Sequence, residues 1–172
     1  MSPERILKIN SVICLSYIFL YSLSIYLWDL DFIYGNLLFL PHSVRLIGAL
    51  IFGWVTFPGM LIGHLFCEFY FFEENINLLL AIYGACIVYL SIDILKYFKV
   101  FDFKNFNNVS FTHIIFVVFF ASIFNAVGSF VIFDYYNQIN SFNFIFSYFI
   151  GDFFGGFIGL YLFLKFFYKF FE

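Results

Sequence analysis

Six polar or ionisable side chains lie inside apolar stretches of this chain, where they could bind a ligand, an ion or one another. In a lipid-exposed helix each ionisable group costs a few kcal/mol or more, on the order of 2.5–3.5 kcal/mol at the helix centre, so such groups normally face a partner or a cavity. A guanidinium in this setting predicts an ion pair or a site for an anionic group. The six residues are His42, Arg45, His64, Glu68, Asn125 and Asp152.

The spacing of these residues along the chain places four of them in two pairs. His42 and Arg45 are three residues apart, and His64 and Glu68 are four apart, so each pair shares one face of a helix. Asp152 falls about ten residues into the last apolar run, near the membrane midplane, and Arg45 is expected at a similar depth. We therefore expect Arg45 to pair with Asp152, or with Glu68 if the helix order differs.

Two interpretations of this polar cluster remain open, with Asn125 adding hydrogen bonds in either. The cluster binds a ligand or an ion, as intramembrane ionisable groups commonly do. Alternatively it only holds the helices together, although interhelical hydrogen bonds average only ~0.6 kcal/mol in measured cases.

Catalytic and metal-binding patterns are not apparent in the sequence. No HxxxH or HExxH spacing is present, so His42, His64 and Glu68 form at most a weak metal-site signal, and we expect neither a metal nor a cofactor. No GxSxG motif accompanies the serines, and we expect the protein not to be an enzyme. The three cysteines lie in apolar runs without CxxC spacing and are expected to be small buried residues.

The composition is that of an integral membrane protein. Of the 172 residues, 64% are hydrophobic and 11% are charged, whereas soluble domains average roughly 45–50% and ~25%. Apolar runs recur along the whole chain, so residues 1–172 are expected to form one membrane-embedded domain in contact with the lipid bilayer. No basic tract with interleaved surface aromatics is present, and we expect no nucleic-acid partner.

The apolar runs predict an all-α protein with six transmembrane helices, because only helices fit runs this long without an alternating strand pattern. With the N-terminus in the cytoplasm, seven of the eight basic residues fall on the cytoplasmic side, which predicts that both termini are cytoplasmic. A five-span alternative would place three lysines outside and is disfavoured. The predicted spans are about 10–28, 32–54, 58–72, 76–95, 112–133 and 142–167, with a break at Pro41.

Glycines at four-residue spacing predict helix-packing faces. Such small residues let neighbouring backbones approach closely, and the partner is either another helix of this chain or a second subunit. Because both faces flank polar residues that should point inward, the intramolecular partner is favoured. The residues are Gly59 and Gly63 on the third predicted helix and Gly151, Gly155 and Gly159 on the sixth.

Two motifs resemble those of MASE1-type membrane sensory domains. LPHSVRLIGALIFGWVTFPGMLIGHLF is similar to that family's proline, apolar helix, FGW-like turn and Pro-Gly sequence, and Gly151-Asp152-Phe153-Phe154-Gly155 is similar to its Gly-Asp-x-x-Gly helix. The resemblance covers about 35–165 and implies a multi-pass sensory domain of the bacterial inner membrane. The family usually has about eight helices and a cytoplasmic output module, whereas six helices and no output module are expected here.

Together these observations predict a non-enzymatic ligand-sensing or partner-binding module of the bacterial inner membrane, with a protein partner in the membrane or cytoplasm and a small anionic ligand at Arg45. Two alternatives stay open. One is a substrate-binding subunit of a small-solute, vitamin-type transporter, although the first helix lacks the small-residue stripe of that class. The other is a structural subunit of a larger membrane complex.

Overall fold

The computed structural model describes residues 1–28, 38–71, 77–100, 111–135 and 142–166, and the described residues contain six α-helices and no strand. A short 3₁₀ helix, Gly53–Thr56, joins the second helix to the third. The helices are α1 (Pro3–Trp28), α2 (Pro41–Phe52), α3 (Phe57–Phe71), α4 (Leu78–Tyr97), α5 (Phe111–Tyr135) and α6 (Phe142–Phe166).

Among the described residues, five helical stretches are long and apolar enough to cross a membrane, which confirms the all-helical, multi-pass membrane prediction. The second stretch, Pro41–Phe71, takes in both α2 and α3. Six separate crossings were predicted, but α2 has only 12 residues, about 18 Å, against a hydrocarbon core of ~30 Å. The other stretches are Pro3–Leu27, Leu78–Tyr97, Phe111–Tyr135 and Asn143–Phe163.

The predicted boundaries of the first two spans need correction. Helix α1 begins at Pro3 rather than near residue 10, because charged residues end an apolar run without ending a helix, and Glu4 pairs with Lys8 one turn later at 2.6 Å. Helix α2 begins at Pro41 rather than near residue 32, because proline lacks the N–H that an interior helical position needs. Residues 29–37, which include the start of the predicted second span, lie outside the described part.

Helices α2 and α3 form a helical hairpin along α1. The rings of Phe39, just before α2, and Phe71, at the end of α3, both lie 5.6 Å from the ring of Tyr21. At the opposite end, Asn10 of α1 donates to the Val55 carbonyl at 2.9 Å and accepts from the Gly59 N–H at 2.6 Å. The chain reverses through Gly53, whose φ of 62° is one that glycine adopts without a steric penalty.

Helices α1, α3 and α5 run in one direction, and α2, α4 and α6 run in the other. Thr56, just before α3, contacts Tyr89 in the second half of α4, and Glu68, near the end of α3, contacts Asn77 just before α4, so α3 and α4 are antiparallel. On α5 and α6, Phe111 packs on Phe157, whereas Phe133 packs on Phe144. The beginning of α1 and the end of α6 therefore lie at the same end of the bundle.

Helix α2 occupies the centre of this bundle. It packs against α1, α4 and α6, and eight of its twelve residues are buried. Helix α1, by contrast, has few fully buried residues and exposes one row of apolar side chains, namely Leu7, Val12, Leu15, Phe19, Tyr26 and Leu27. A short helix is enclosed by longer ones, so side chains on α2 reach partners on several helices at once.

Candidate functional site

Arg45 lies at the centre of the buried polar cluster and is only 2% exposed. It is four residues into α2, where its side chain reaches three other helices. Its Nη2 atom lies 3.1 Å from Oδ1 of Asp152 on α6, and Nη1 donates to Oδ1 of Asn125 on α5 at 3.4 Å. Nη1 also donates to the Gly84 carbonyl on α4 at 3.3 Å. The predicted pairing of Arg45 with Asp152 is confirmed.

Asn125 completes a closed network around the Asp152 carboxylate. Its amide nitrogen donates to Oδ2 of Asp152 at 2.5 Å while its carbonyl oxygen accepts from Arg45. Asp152 thus has a cation on one oxygen and an amide on the other, and the cluster is electrically neutral. The hydrogen bonds predicted for Asn125 are present.

His42 lies beside this network, one turn before Arg45 on the same helix. Its Nδ1 atom is 3.6 Å from Oδ1 of Asp152, and its side chain is fully buried. Neither ring nitrogen has a hydrogen-bond partner among the described residues. The opposite edge of the ring packs against Gly156 on α6, where a side chain larger than hydrogen would overlap it.

His64 of α3 lies near the cluster, next to Gly84 of α4. Its ring packs directly against Gly84, the residue whose carbonyl accepts from Arg45. Nδ1 lies 3.2 Å from the hydroxyl of Tyr17 on α1, and the two rings stack with centroids 4.3 Å apart. Nε2 has no hydrogen-bond partner in the described part of the chain.

Glu68 was predicted to share the Arg45 cluster, and the structure places it elsewhere. It is half-buried, and its Oε2 accepts from the backbone N–H of Asn77 at 3.4 Å. Glu68 shares a helix face with His64 but does not reach Arg45, whose acidic partner is Asp152 on α6. The alternative pairing of Arg45 with Glu68 is therefore wrong.

Four contacts of this region were not predicted from the sequence. The contact of Tyr17 carried no signal, because tyrosine is common near the ends of membrane-spanning helices and α1 alone has three. Thr56 and Tyr89 share a 2.9 Å hydrogen bond below the cluster, and the Trp54 indole donates to Asp93 at 2.7 Å near the tip of the hairpin. Phe39 lies with its ring centroid 5.4 Å from the Arg45 guanidinium carbon.

The predicted glycine faces pack inside the chain, as the intramolecular alternative expected. Gly59 and Gly63 lie against the α1 backbone and Tyr17, and Gly155 lies against the backbone of Phe39. Gly151 accepts from the Phe39 N–H at 2.9 Å, and Gly159 lies against Ser43. These contacts let the chain entering α2 approach α6 closely enough for Arg45 to reach Asp152.

Arg45 keeps one unused donor within this network. Its Nε–H has no hydrogen-bond partner among the described residues, although both terminal nitrogens are engaged. Guanidinium Nε–H and Nη–H groups together form an edge that binds a carboxylate or phosphate through two parallel bonds. The arrangement can therefore accept a further anionic oxygen. Among the described residues no group of three or more His, Cys, Asp or Glu side chains is placed to hold a metal ion.

Comparisons of this chain with protein-family models, with curated proteins and with solved structures gave no match.

Proposed function

We propose that this protein is a non-enzymatic ligand-sensing module of the bacterial inner membrane, similar to MASE1-type domains, whose ligand is a small anion held by Arg45. The observation that carries the proposal is the buried Nε–H of Arg45, which no described residue accepts. A guanidinium that served only to hold helices together would be stabilised by using that donor, because an unsatisfied buried donor costs about 1–3 kcal/mol.

The glycine contacts favour a ligand-binding role over assembly into a larger complex. Gly59, Gly63, Gly155 and Gly159 are each occupied by residues of this same chain, so these faces are not free to receive another subunit. The short α2 supports the same conclusion, because enclosing it among longer helices orients its polar face toward the interior. Any output of the sensor then passes to a protein partner, in the membrane or the cytoplasm.

The proposed topology has six crossings, the second of them containing α2, and both termini in the cytoplasm. The alternating helix directions support it, as does the position of Lys96 at the same end of the bundle as the start of α1. Lys96 lies 3.5 Å from Asp93, which binds Trp54 at the tip of the hairpin. Basic residues are typical of the cytoplasmic membrane boundary, and tryptophan is typical of either boundary.

The test is to identify small molecules that stay bound after gentle extraction. Wild-type protein and the double variant Arg45→Met/Asp152→Leu, purified in parallel into nanodiscs, are compared by native mass spectrometry and by analysis of the released small molecules. The double variant removes both charges together and leaves neither buried alone. We expect a small anion bound to the wild type and missing from the variant. The same bound molecules in both proteins would contradict the proposal.

A further inference from the structure

We propose that the Arg45 site binds a small carboxylate together with one proton, which is taken up by His42. The inference rests on the proposed function, and it specifies both the chemical class of the ligand and what must enter with it.

The cluster is neutral before any ligand binds. Arg45 contributes one positive charge and Asp152 one negative charge, at 3.1 Å from each other. Asn125 and the Gly84 carbonyl add hydrogen-bonding groups without charge. A carboxylate arriving at the Arg45 Nε–H would leave the site with a net negative charge. An uncompensated charge in such an environment is strongly disfavoured, so a cation must accompany the anion.

The proton is the cation for which the structure provides a place. The charged groups facing His42 are Arg45, on its own helix, and Asp152, on α6, whose Oδ1 is 3.6 Å from His42 Nδ1. Tyr148 lies one turn before Asp152 on α6, and Asn125 of α5 donates to the other oxygen of Asp152. A proton on Nδ1 points an N–H at a carboxylate, so the imidazolium gains an ion pair that the neutral ring lacks.

His64 is the matched alternative, and its contacts make it the poorer proton acceptor. Its Nδ1 faces the Tyr17 hydroxyl at 3.2 Å rather than a carboxylate. Within the described residues, Glu68 shares its helix but contacts Asn77. Protonation of His64 would therefore gain no direct ion pair. When a carboxylate binds the Arg45 Nε–H, it shares the Arg45 cation with Asp152, and the two negative charges are balanced only if His42 takes the proton.

A carboxylate is the ligand class that suits the Nε edge of Arg45, where the Nε–H is the unused donor. Its two oxygens match the Nε–H and Nη–H pair in a planar fork. A monovalent anion is balanced by the single proton that His42 can hold, whereas a divalent phosphate would need a second one. Formate, the smallest carboxylate, is the probe with the least steric demand.

The experiment measures formate binding and proton uptake with the full chain in nanodiscs between pH 5.5 and 8. Formate remains ionised throughout this range, so any proton consumed is taken up by the protein. We expect uptake of about one proton per formate bound, and a formate Kd that rises up to tenfold for each pH unit above the titration of His42. His42→Gln should abolish the proton uptake, whereas His64→Gln should retain it.

Three outcomes would overturn this inference, and they can be told apart. Saturable formate binding without proton uptake would refute the coupling and leave the proposed function intact. Proton uptake that survives in His42→Gln but disappears in His64→Gln would show that His64, and not His42, takes up the proton. Absence of saturable formate binding up to about 100 mM, which is 100-fold above physiological metabolite levels, would refute carboxylate binding. A different anion found bound in the mass-spectrometric test would still support the proposed function.

Discussion

Arg45 Nη2 lies 3.1 Å from Asp152 Oδ1, and this contact joins two residues that are 107 positions apart in the chain. It connects α2 to α6 at the centre of the bundle, where both side chains are almost fully buried. The pair also sets the charge of the interior at zero. Stability and ligand binding therefore depend on the same two side chains, and the predictions below separate these roles.

Asp152→Ala should destabilise the protein by about 3–5 kcal/mol, because it leaves the Arg45 guanidinium buried without its counter-ion. The double variant Arg45→Met/Asp152→Leu should be markedly more stable than Asp152→Ala, since it buries no unpaired charge. Thermal unfolding in a fixed detergent, followed by loss of the monodisperse chromatographic peak, measures both. Equal stability of the single and double variants would show that the ion pair has no energetic role.

Asn10→Ala should destabilise the tip of the α2–α3 hairpin by about 1–2 kcal/mol, through loss of its bonds to Val55 and Gly59. Hydrogen exchange at the amides of residues 53–60 should accelerate in this variant. Ser22→Ala is the matched control, because Ser22 bonds only to the Ile18 carbonyl of its own helix among the described residues. Exchange that is unchanged in Asn10→Ala, or equally faster in Ser22→Ala, would contradict this assignment.

Gly155→Ala should cost about 1–3 kcal/mol, because the added methyl group would overlap the backbone of Phe39. Gly48→Ala is the comparison. Its methyl group would meet the Thr56 hydroxyl at 3.1 Å, a contact that a side-chain adjustment can relieve, and alanine gains up to ~1 kcal/mol in helix propensity over glycine. We expect Gly155→Ala to unfold at a clearly lower temperature than Gly48→Ala. The reverse order would place Phe39 away from α6.

Reporter fusions should find both termini on the cytoplasmic side. The same-end placement of the start of α1 and the end of α6 requires the two fusions to agree with each other, and the basic residues determine which side they share. An N-terminal and a C-terminal fusion to a reporter that is active only in the cytoplasm should both give signal. Activity of one fusion alone would contradict the helix directions described here.

The Arg45–Asp152 ion pair could be predicted from the sequence because it depends on how deep each residue lies in the membrane. The depths of Arg45 and Asp152 are obtained by counting residues along the apolar runs. A charge inside the membrane requires an opposite charge at the same depth. The side from which a partner comes depends on helix order, which a single sequence does not specify. This is why Glu68, with a favourable spacing to His64, was assigned to a cluster that it does not join.

The hairpin and its supporting contacts could not be predicted for a different reason. Pro41 signalled a break, but apolar residues continue on both sides of it, so hydropathy extended the second span beyond the helix. Asn10 was treated as the boundary of the first span, whereas it binds the tip of the hairpin 45 residues away at Val55. Neutral side chains such as Asn10 and Tyr17 carry little insertion cost, and their tertiary roles leave little trace in composition.

Saturable binding of radiolabelled formate to the wild type and to the Arg45→Lys variant, in nanodiscs at pH 6, tests whether the Arg45 Nε–H holds an anion. Lysine keeps a positive charge beside Asp152 but lacks the Nε–H and the planar fork of arginine. We expect Arg45→Lys to insert and fold, and to bind formate at least tenfold more weakly than the wild type. Equal affinity in the two proteins would show that the Arg45 Nε–H is not the point at which an anion binds.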